Sequence, residues 1–254
     1  VLYHCIATPV QVERLTTLEY RMMDEIISCS PWHSSLETYF DEEMSDGHTR
    51  RTIIKMAGLL HDISKPSNKT IDSTGKIRFL GHDSLGSEVC KEILRRLRFS
   101  SRGIDLISTI VRHHLRPTQM SHEIQMPTPR AIYRYYRDLG EAAIDTLYLN
   151  MADYLAAKGP SIDINDWQSH CKLVGHILDK CLEANIKPQK RPRLLDGNLI
   201  MEFLGLSQSA LIGRLLDAVQ EEHAAGNITT QEEALHLVRG LASADKRQEK
   251  NDQV

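Results

Sequence analysis

Apolar positions recur at spacings of three and four along most of the chain, the period of helices that bury one face. Val12, Leu15, Leu18, Met22, Met23, Ile26 and Ile27 predict a helix over 11–29, ended by the 28–35 stretch that contains Pro31. Asp46-Gly47 is a turn signal, and a second helix opens near Thr49. Its Ile53, Ile54, Met56, Ala57, Leu59 and Leu60 give it a core face; the run stops at His61-Asp62 and Pro66 forbids continuation. The polar segment up to Gly81 holds the turn Asp72-Ser-Thr-Gly75 and predicts a small hairpin. Helices are then predicted over 87–97, 104–114, 130–139, 141–158 and 166–184, with Gly140 and Gly159-Pro160 as breaks. Beyond residue 194 come helices over 198–204 and 207–225. A capping box, Thr230-Gln-Glu-Glu233, opens a last helix to Val238, after which the charged tail is expected to fray. No internal repeat and no strand-rich stretch interrupts this pattern, so the expected fold class is all-α.

The stretch Lys187-Pro-Gln-Lys-Arg-Pro-Arg193 is basic, holds two prolines and reads as a linker. It divides a helical domain, 1–186, from a small helical C-terminal domain, 194–254. At 254 residues, with 41% hydrophobic and 26% charged content, the chain suits ordinary globular cores. The net charge of −3 excludes a global pull toward nucleic acid but leaves room for local basic clusters. No run approaches a bilayer-spanning length, so no membrane partner is expected. The five cysteines are scattered and form no CxxC, which reads as reduced thiols in the cytoplasm. The opening Val-Leu-Tyr-His is no signal peptide and suggests a piece of a longer polypeptide.

The chemistry begins where the second helix ends. An imidazole and a carboxylate delivered side by side by a buried helix are costly unless paired, and a divalent cation would pair them. More groups of ligand type follow: His82, the pair His113-His114, and Asp153 in an apolar helical run. Each has an ordinary explanation when taken singly. His82 follows Gly81 as a turn residue would, Arg112-His113-His114 suits a helix C-terminus, and Asp153 could pair with an arginine such as Arg134.

In this order, His-Asp, His, His-His and a helical Asp resemble the HD superfamily of metal-dependent phosphohydrolases. The resemblance implies an HD-domain helical bundle holding one or two divalent ions (Mn, Fe, Ni, Co, Zn or Mg). Asp62 would bridge, with His61 and Asp153 on the first ion and His82, His113 and His114 on the second. His61, Asp62 and Lys65 would carry catalysis, Lys65 meeting phosphate charge. The family pattern begins with a further upstream histidine; Arg14 stands where that residue is aligned, leaving His4, His33 and His48 as substitutes. Ser64 stands where the family usually has glycine.

The motifs Gly81-His-Asp-Ser-Leu-Gly86, Leu94-Arg-Arg-Leu-Arg-Phe-Ser100, Arg130-Ala-Ile-Tyr-Arg-Tyr-Tyr-Arg-Asp-Leu-Gly140 and Leu195-Asp-Gly-Asn198 through Ile212-Gly-Arg-Leu-Leu216 look like the C-terminal portion of bacterial tRNA nucleotidyltransferases. That family carries its nucleotide-transfer head before the HD domain, and no head motif occurs in this chain. The resemblance implies a nucleotide or other phosphate-ester substrate, with tRNA as a possible partner. RNA contacts would come from Arg130 and Arg134, on one helix face among tyrosines, and from Lys187, Lys190, Arg191 and Arg193 in the linker. The bland alternative for the helix is buried tyrosines and arginines paired to acids such as Asp138 and Glu141. Two functions follow: a phosphohydrolase, or a degenerate HD domain that binds tRNA without hydrolysis.

Overall fold

The computed structural model describes residues 1–121, 126–186 and 194–251. Their regular elements are helices and two small hairpins, and they fall into two compact units, 1–127 with 135–183 and 128–134 with 184–254. The linker residues Lys187, Lys190, Arg191 and Arg193 lie outside the described residues.

The first unit opens with α1 (Leu2–Thr16), α2 (Leu18–Met23) and α3 (Glu25–Ser28) in place of the single helix expected over 11–29. Two residues in extended conformation, Thr17 and Asp24, break that run. Asp24 accepts the Ile26 and Ile27 amides and so caps α3 instead of continuing α2. Helix α1 also starts earlier than its periodicity indicated and runs through Pro9, a residue that ordinarily marks a helix start or stop.

Next come α4 (Ser35–Asp41) and a hairpin of β1 (Glu43–Ser45) with β2 (His48–Thr49), absent from the expected elements. Its turn residues Asp46 and Gly47 both adopt positive φ, as a tight hairpin turn requires. Thr49 caps α5 (Arg50–Leu60) by accepting the Thr52 amide. The expected second hairpin forms from β3 (Thr70–Ile71) and β4 (Ile77–Arg78), with Asp72 accepting from the Thr74 and Lys76 amides across the turn.

The remaining elements of this unit are α6 (His82–Arg96), α7 (Ser101–His113), α8 (Arg116–Gln119), the second part of α9 (Pro129–Leu139), α10 (Ala143–Lys158) and α11 (Ile164–Ile186). Helix α5 packs against α1, α7 and α10, α1 against α10, and α6 against α7. The approach is closest at Gly58, where a Cβ would meet the Thr8 methyl at 3.1 Å and Leu149 at 3.3 Å. Val12, Leu15, Ile54, Ala57, Ile107, Ile110, Leu147 and Leu149 are fully buried between these helices. Helix α10 is buried without a break from Ala143 to Ala152, as expected of a central helix apolar nearly all round. It carries Asp145 into the core, where Arg50 Nη1 at 2.9 Å and the Tyr39 hydroxyl at 2.8 Å both donate to it.

The second unit closes α12 (Gly197–Leu204), α13 (Ala210–Ala224) and α14 (Gln231–Asn251) over Ile200, Leu215, Val219, Ala234 and Val238. The capping box forms as read: Thr230 Oγ1 accepts the Glu233 amide, and the Glu233 carboxylate accepts the Thr230 amide at 3.1 Å. The tail expected to fray instead extends α14 to Asn251, its alanines, lysines and glutamate being strong helix formers. Among the described residues, no helix is long and apolar enough to cross a membrane.

Candidate metal centre

Helix α5 ends at Leu60, and the eight turn residues that follow, 61–68, begin with His61 and Asp62 and contain the helix-breaking Pro66. Both side chains are buried, at the point where α1, α6, α7 and α10 bring further groups together. Three groups of potential ligands result: His4, His61 and Asp62; His61, His114 and Asp153; and Asp62, His82 and His114.

Asp62 stands between the two sides. Its Oδ2 lies 3.5 Å from His61 Nε2 and 3.7 Å from His4 Nε2. Its Oδ1 lies 3.5 Å from His82 Nε2 and 3.8 Å from His114 Nε2. Asp153, from α10, closes the first side, with Oδ1 at 2.8 Å from His4 Nε2 and 3.5 Å from His61 Nε2. The two imidazole nitrogens of His4 and His61 face each other at 3.1 Å.

Three imidazoles are anchored in one way. Nδ1 of His61, His82 and His114 each meets the carbonyl three residues earlier, Gly58 at 2.7 Å, Phe79 at 2.6 Å and Val111 at 2.7 Å. A carbonyl only accepts, so the proton is on Nδ1, and in the neutral ring Nε2 offers its lone pair to the centre. This is how metal-ligating histidines are oriented. Burial pushes His114 down to about 4, with the neighbouring His61 adding to the effect, so its ring stays neutral. Burial also opposes charge on His61, but the carboxylates of Asp153 and Asp62 outweigh it and raise that group. Asp153 is lowered far below the usual carboxylate range: its bonds to His4 and His61 overcome burial.

The donor set fits divalent cations. Asp62 Oδ1, His82 Nε2 and His114 Nε2 are buried without a hydrogen-bond partner, a costly state that ligation would relieve. Ligands held at about 2.1 Å by one ion stand no more than about 4.2 Å apart. The separations on either side of Asp62, 2.8 to 3.8 Å, satisfy this limit. Imidazole and carboxylate suit zinc, iron, manganese, cobalt or nickel. Lys65 Nζ is 2.5 Å from Asp62 Oδ2 and 5.7 Å from the centre of the Phe79 ring, at the exposed edge of the site.

Two expectations are corrected. His4, on α1, reaches Asp153 and His61, and Arg14 does not; Arg14 lies nearly three turns further along and pairs with Asp24 and Gln11. His113 belongs to none of the three groups. Adjacent residues on a helix point about 100° apart, so with His114 turned inward His113 is directed among Arg112, Arg116, Asp83 and Asp138. Asp153 has His4 and His61 as partners, while Arg134 pairs with Glu221.

The RNA face expected on α9 follows the bland alternative in kind. Arg130 and Arg134 are paired with Glu222 and Glu221, and Tyr135 is fully buried with its hydroxyl on the Ala143 carbonyl at 2.6 Å. For these two the acids come from α13, about 90 residues away in sequence, whereas Arg137 of the same helix pairs with Asp138, one of the acids expected.

Residues 35–158 match the HD domain family, a segment that includes His61, Asp62, His82, His114 and Asp153 but stops short of His4. The chain is 31% identical over 182 residues to the CC-adding tRNA nucleotidyltransferase of Thermus thermophilus, covering 71% of this chain and 38% of that protein. It is 31% identical over 192 residues to the A-adding tRNA nucleotidyltransferase of Deinococcus radiodurans, covering 75% of this chain and 42% of that protein. A bifunctional uridylyltransferase/uridylyl-removing enzyme of Methylococcus capsulatus is 26% identical over 117 residues, or 46% of this chain and 12% of that enzyme. The chain carries an HD domain, the defining unit of a superfamily of metal-dependent phosphohydrolases, and the two relatives at 31% identity are tRNA nucleotidyltransferases. It spans about two fifths of the length of those two relatives.

Proposed function

We propose that this chain is a metal-dependent phosphohydrolase acting on a phosphate ester: a nucleotide, a cyclic phosphate or the end of a tRNA. The observation that carries the reading is the convergence of three Nδ1-anchored imidazoles on the two oxygens of buried Asp62. His4, His61 and Asp153 would hold one divalent ion and His82 and His114 a second, with Asp62 shared. Bound there, such ions would activate a water and offset charge on the phosphate.

The protein's own groups complete the arrangement. The backbone carbonyls of Gly58, Phe79 and Val111 keep the three rings in the tautomer that presents Nε2. Lys65, partly exposed beside Asp62, orients a phosphate oxygen and balances its charge. His4, 2.8 Å from Asp153, supports a complete first ligand group and so favours this reading over a degenerate domain. The tRNA activities of the relatives support tRNA as partner, and the word "uridylyl-removing" in the name of the third supports hydrolysis as the reaction class.

Elemental analysis of the purified chain beside Asp62→Ala tests the site, and a panel of nucleoside cyclic phosphates and tRNA ends tests the reaction. About two equivalents of metal and hydrolysis, both lost in the variant, are expected. Hydrolysis persisting in Asp62→Ala would refute the reading.

A further inference from the structure

Most of the described arginines are engaged. Wherever a side chain is described, an acid, a hydroxyl or carbonyl, or an aromatic ring holds it, with four exceptions. Arg95, Arg96, Arg98 and Arg112 are exposed and, among the described residues, their side chains have no hydrogen bond or ion pair. All four lie on α6, on α7 or in the turn that joins them. In a chain of net charge −3, so local a set of unpaired cations is not a consequence of composition.

One of them is also strained. Arg98 has φ +65, the left-handed conformation that glycine usually supplies after a helix. Here it closes α6, with the Phe99 amide donating to the Leu94 carbonyl at 3.1 Å and its own amide to Arg95 at 3.1 Å. A side chain in this conformation is disfavoured relative to glycine, and among the described residues the arginine head makes no hydrogen bond or ion pair that offsets it.

The placement relates the four to the metal centre. His82 begins α6 and His114 follows α7, and both face Asp62 Oδ1, so the two helices run antiparallel with those ends at the site. Arg112 stands two residues from His114. Arg95, Arg96 and Arg98 stand at the far end of α6, which at 15 residues is about 22 Å long. Glu88 lies between, engaged by Lys91 at 2.8 Å and lowered further by Arg112 and Arg95; Asp83 and Glu92 are the other acids of α6.

We infer that the α6–α7 ridge binds the phosphodiester backbone of an RNA whose end enters the metal centre, with phosphates on Arg112, Arg95, Arg96 and Arg98. Arginine suits this partner because its planar fork meets two phosphate oxygens at once. The inference rests on the phosphoesterase reading for the direction of the strand, but the binding itself is independent of hydrolysis.

Binding of a labelled tRNA transcript by fluorescence anisotropy from 50 to 200 mM salt tests it in the full chain. The triple variant Arg95→Glu/Arg96→Glu/Arg98→Glu is compared with wild type and with Arg214→Glu in the second unit. The expected result is a tenfold or greater rise in Kd for the triple variant alone, with a salt dependence shallower by roughly two to three units of log–log slope. Metal content and melting temperature confirm that the variant is folded. Equal binding by the triple variant and wild type overturns the inference. So does an equal loss in Arg214→Glu, or binding of wild type to anionic phospholipid vesicles but not to tRNA. If the binding result holds while Asp62→Ala keeps full hydrolysis, the ridge stands and the phosphoesterase reading falls.

Discussion

The hydroxyl of Ser64 donates to the carbonyl of His82 at 2.6 Å, tying the turn after α5 to the first residue of α6. Both residues are buried, and Gly86 brings α6 so close that a Cβ there would stand 3.4 Å from the same hydroxyl. Ser64, placed where the resemblance led us to expect glycine, thus holds the main chain of a candidate ligand whose Nε2 lacks any other partner. Ser64→Ala should cost about 1 kcal/mol of stability and loosen the His82 side of the site. Competition with a chelator should show one equivalent leaving the variant about 10- to 100-fold more readily, with the other unchanged. Equal retention of both equivalents would show that the bond is structural only.

His4 and His113 are predicted to separate cleanly. His4 Nε2 is 2.8 Å from Asp153 and 3.1 Å from His61, whereas His113 belongs to no group of potential ligands. His4→Ala should therefore lower metal content by up to one equivalent, and His113→Ala should leave it at the wild-type value. Elemental analysis of the two variants decides the matter. A loss in His113→Ala would mean that the ring turns inward when metal binds.

What the sequence disclosed, and what it hid, has a physical pattern. The end of α5 was legible because Pro66 must break a helix, and the capping box at Thr230 because its two hydrogen bonds are local. His4 could not be singled out from His33 and His48 because Leu2, Tyr3, Ile6 and Val10 are exposed on α1, so the apolar period that marks a helix is blurred there, and Pro9 lies inside it. His113 was over-read because adjacency in sequence does not say which neighbour faces inward. The pairing of Arg130 and Arg134 with acids of α13 depends on contacts across about 90 residues, which no local pattern encodes.

Acid should destabilise the protein through buried imidazoles. His170 is stacked on Tyr154, ring centres 4.7 Å apart, with Trp167 at 5.9 Å. Burial pushes it down to about 4 against the opposing pull of Asp153, and its buried Nε2 has no partner. A folded-state value below the unfolded value of about 6.5 means stability fully present above pH 6.5 and lost as pH falls toward 4. The loss at the lower end is ~3 kcal/mol for this one group, from 1.36 kcal/mol per unit. His170→Phe keeps a stacking ring without the titration and should flatten the decline between pH 6.5 and 4. Urea unfolding followed by tryptophan fluorescence at pH 7, 5.5 and 4.5 would reveal it; parallel profiles for variant and wild type would count against His170.

The buried pair of Arg50 and Asp145 sets the last prediction. Asp145 is completely buried on α10 and its carboxyl is raised to about 6, because burial outweighs the favourable charge of Arg50 and the Tyr39 hydroxyl. Arg50 is itself buried, yet is raised overall by Asp145 and its other partners, so it remains charged. Removing the arginine leaves a carboxylate in the core with one hydrogen bond from Tyr39, a loss of about 3–5 kcal/mol. Arg50→Met should therefore unfold far more easily than wild type at pH 7. Much of the deficit should return near pH 5, where the isolated carboxyl is neutral in the folded variant. Tyr39→Phe, which removes only one donor, should cost about 1–3 kcal/mol. The double variant Arg50→Met/Asp145→Leu should recover most of the stability lost in Arg50→Met, because no unpaired charge stays behind. If it is no more stable than Arg50→Met, the deficit comes instead from the lost contacts of the guanidinium with Glu42 and with the Tyr39 ring.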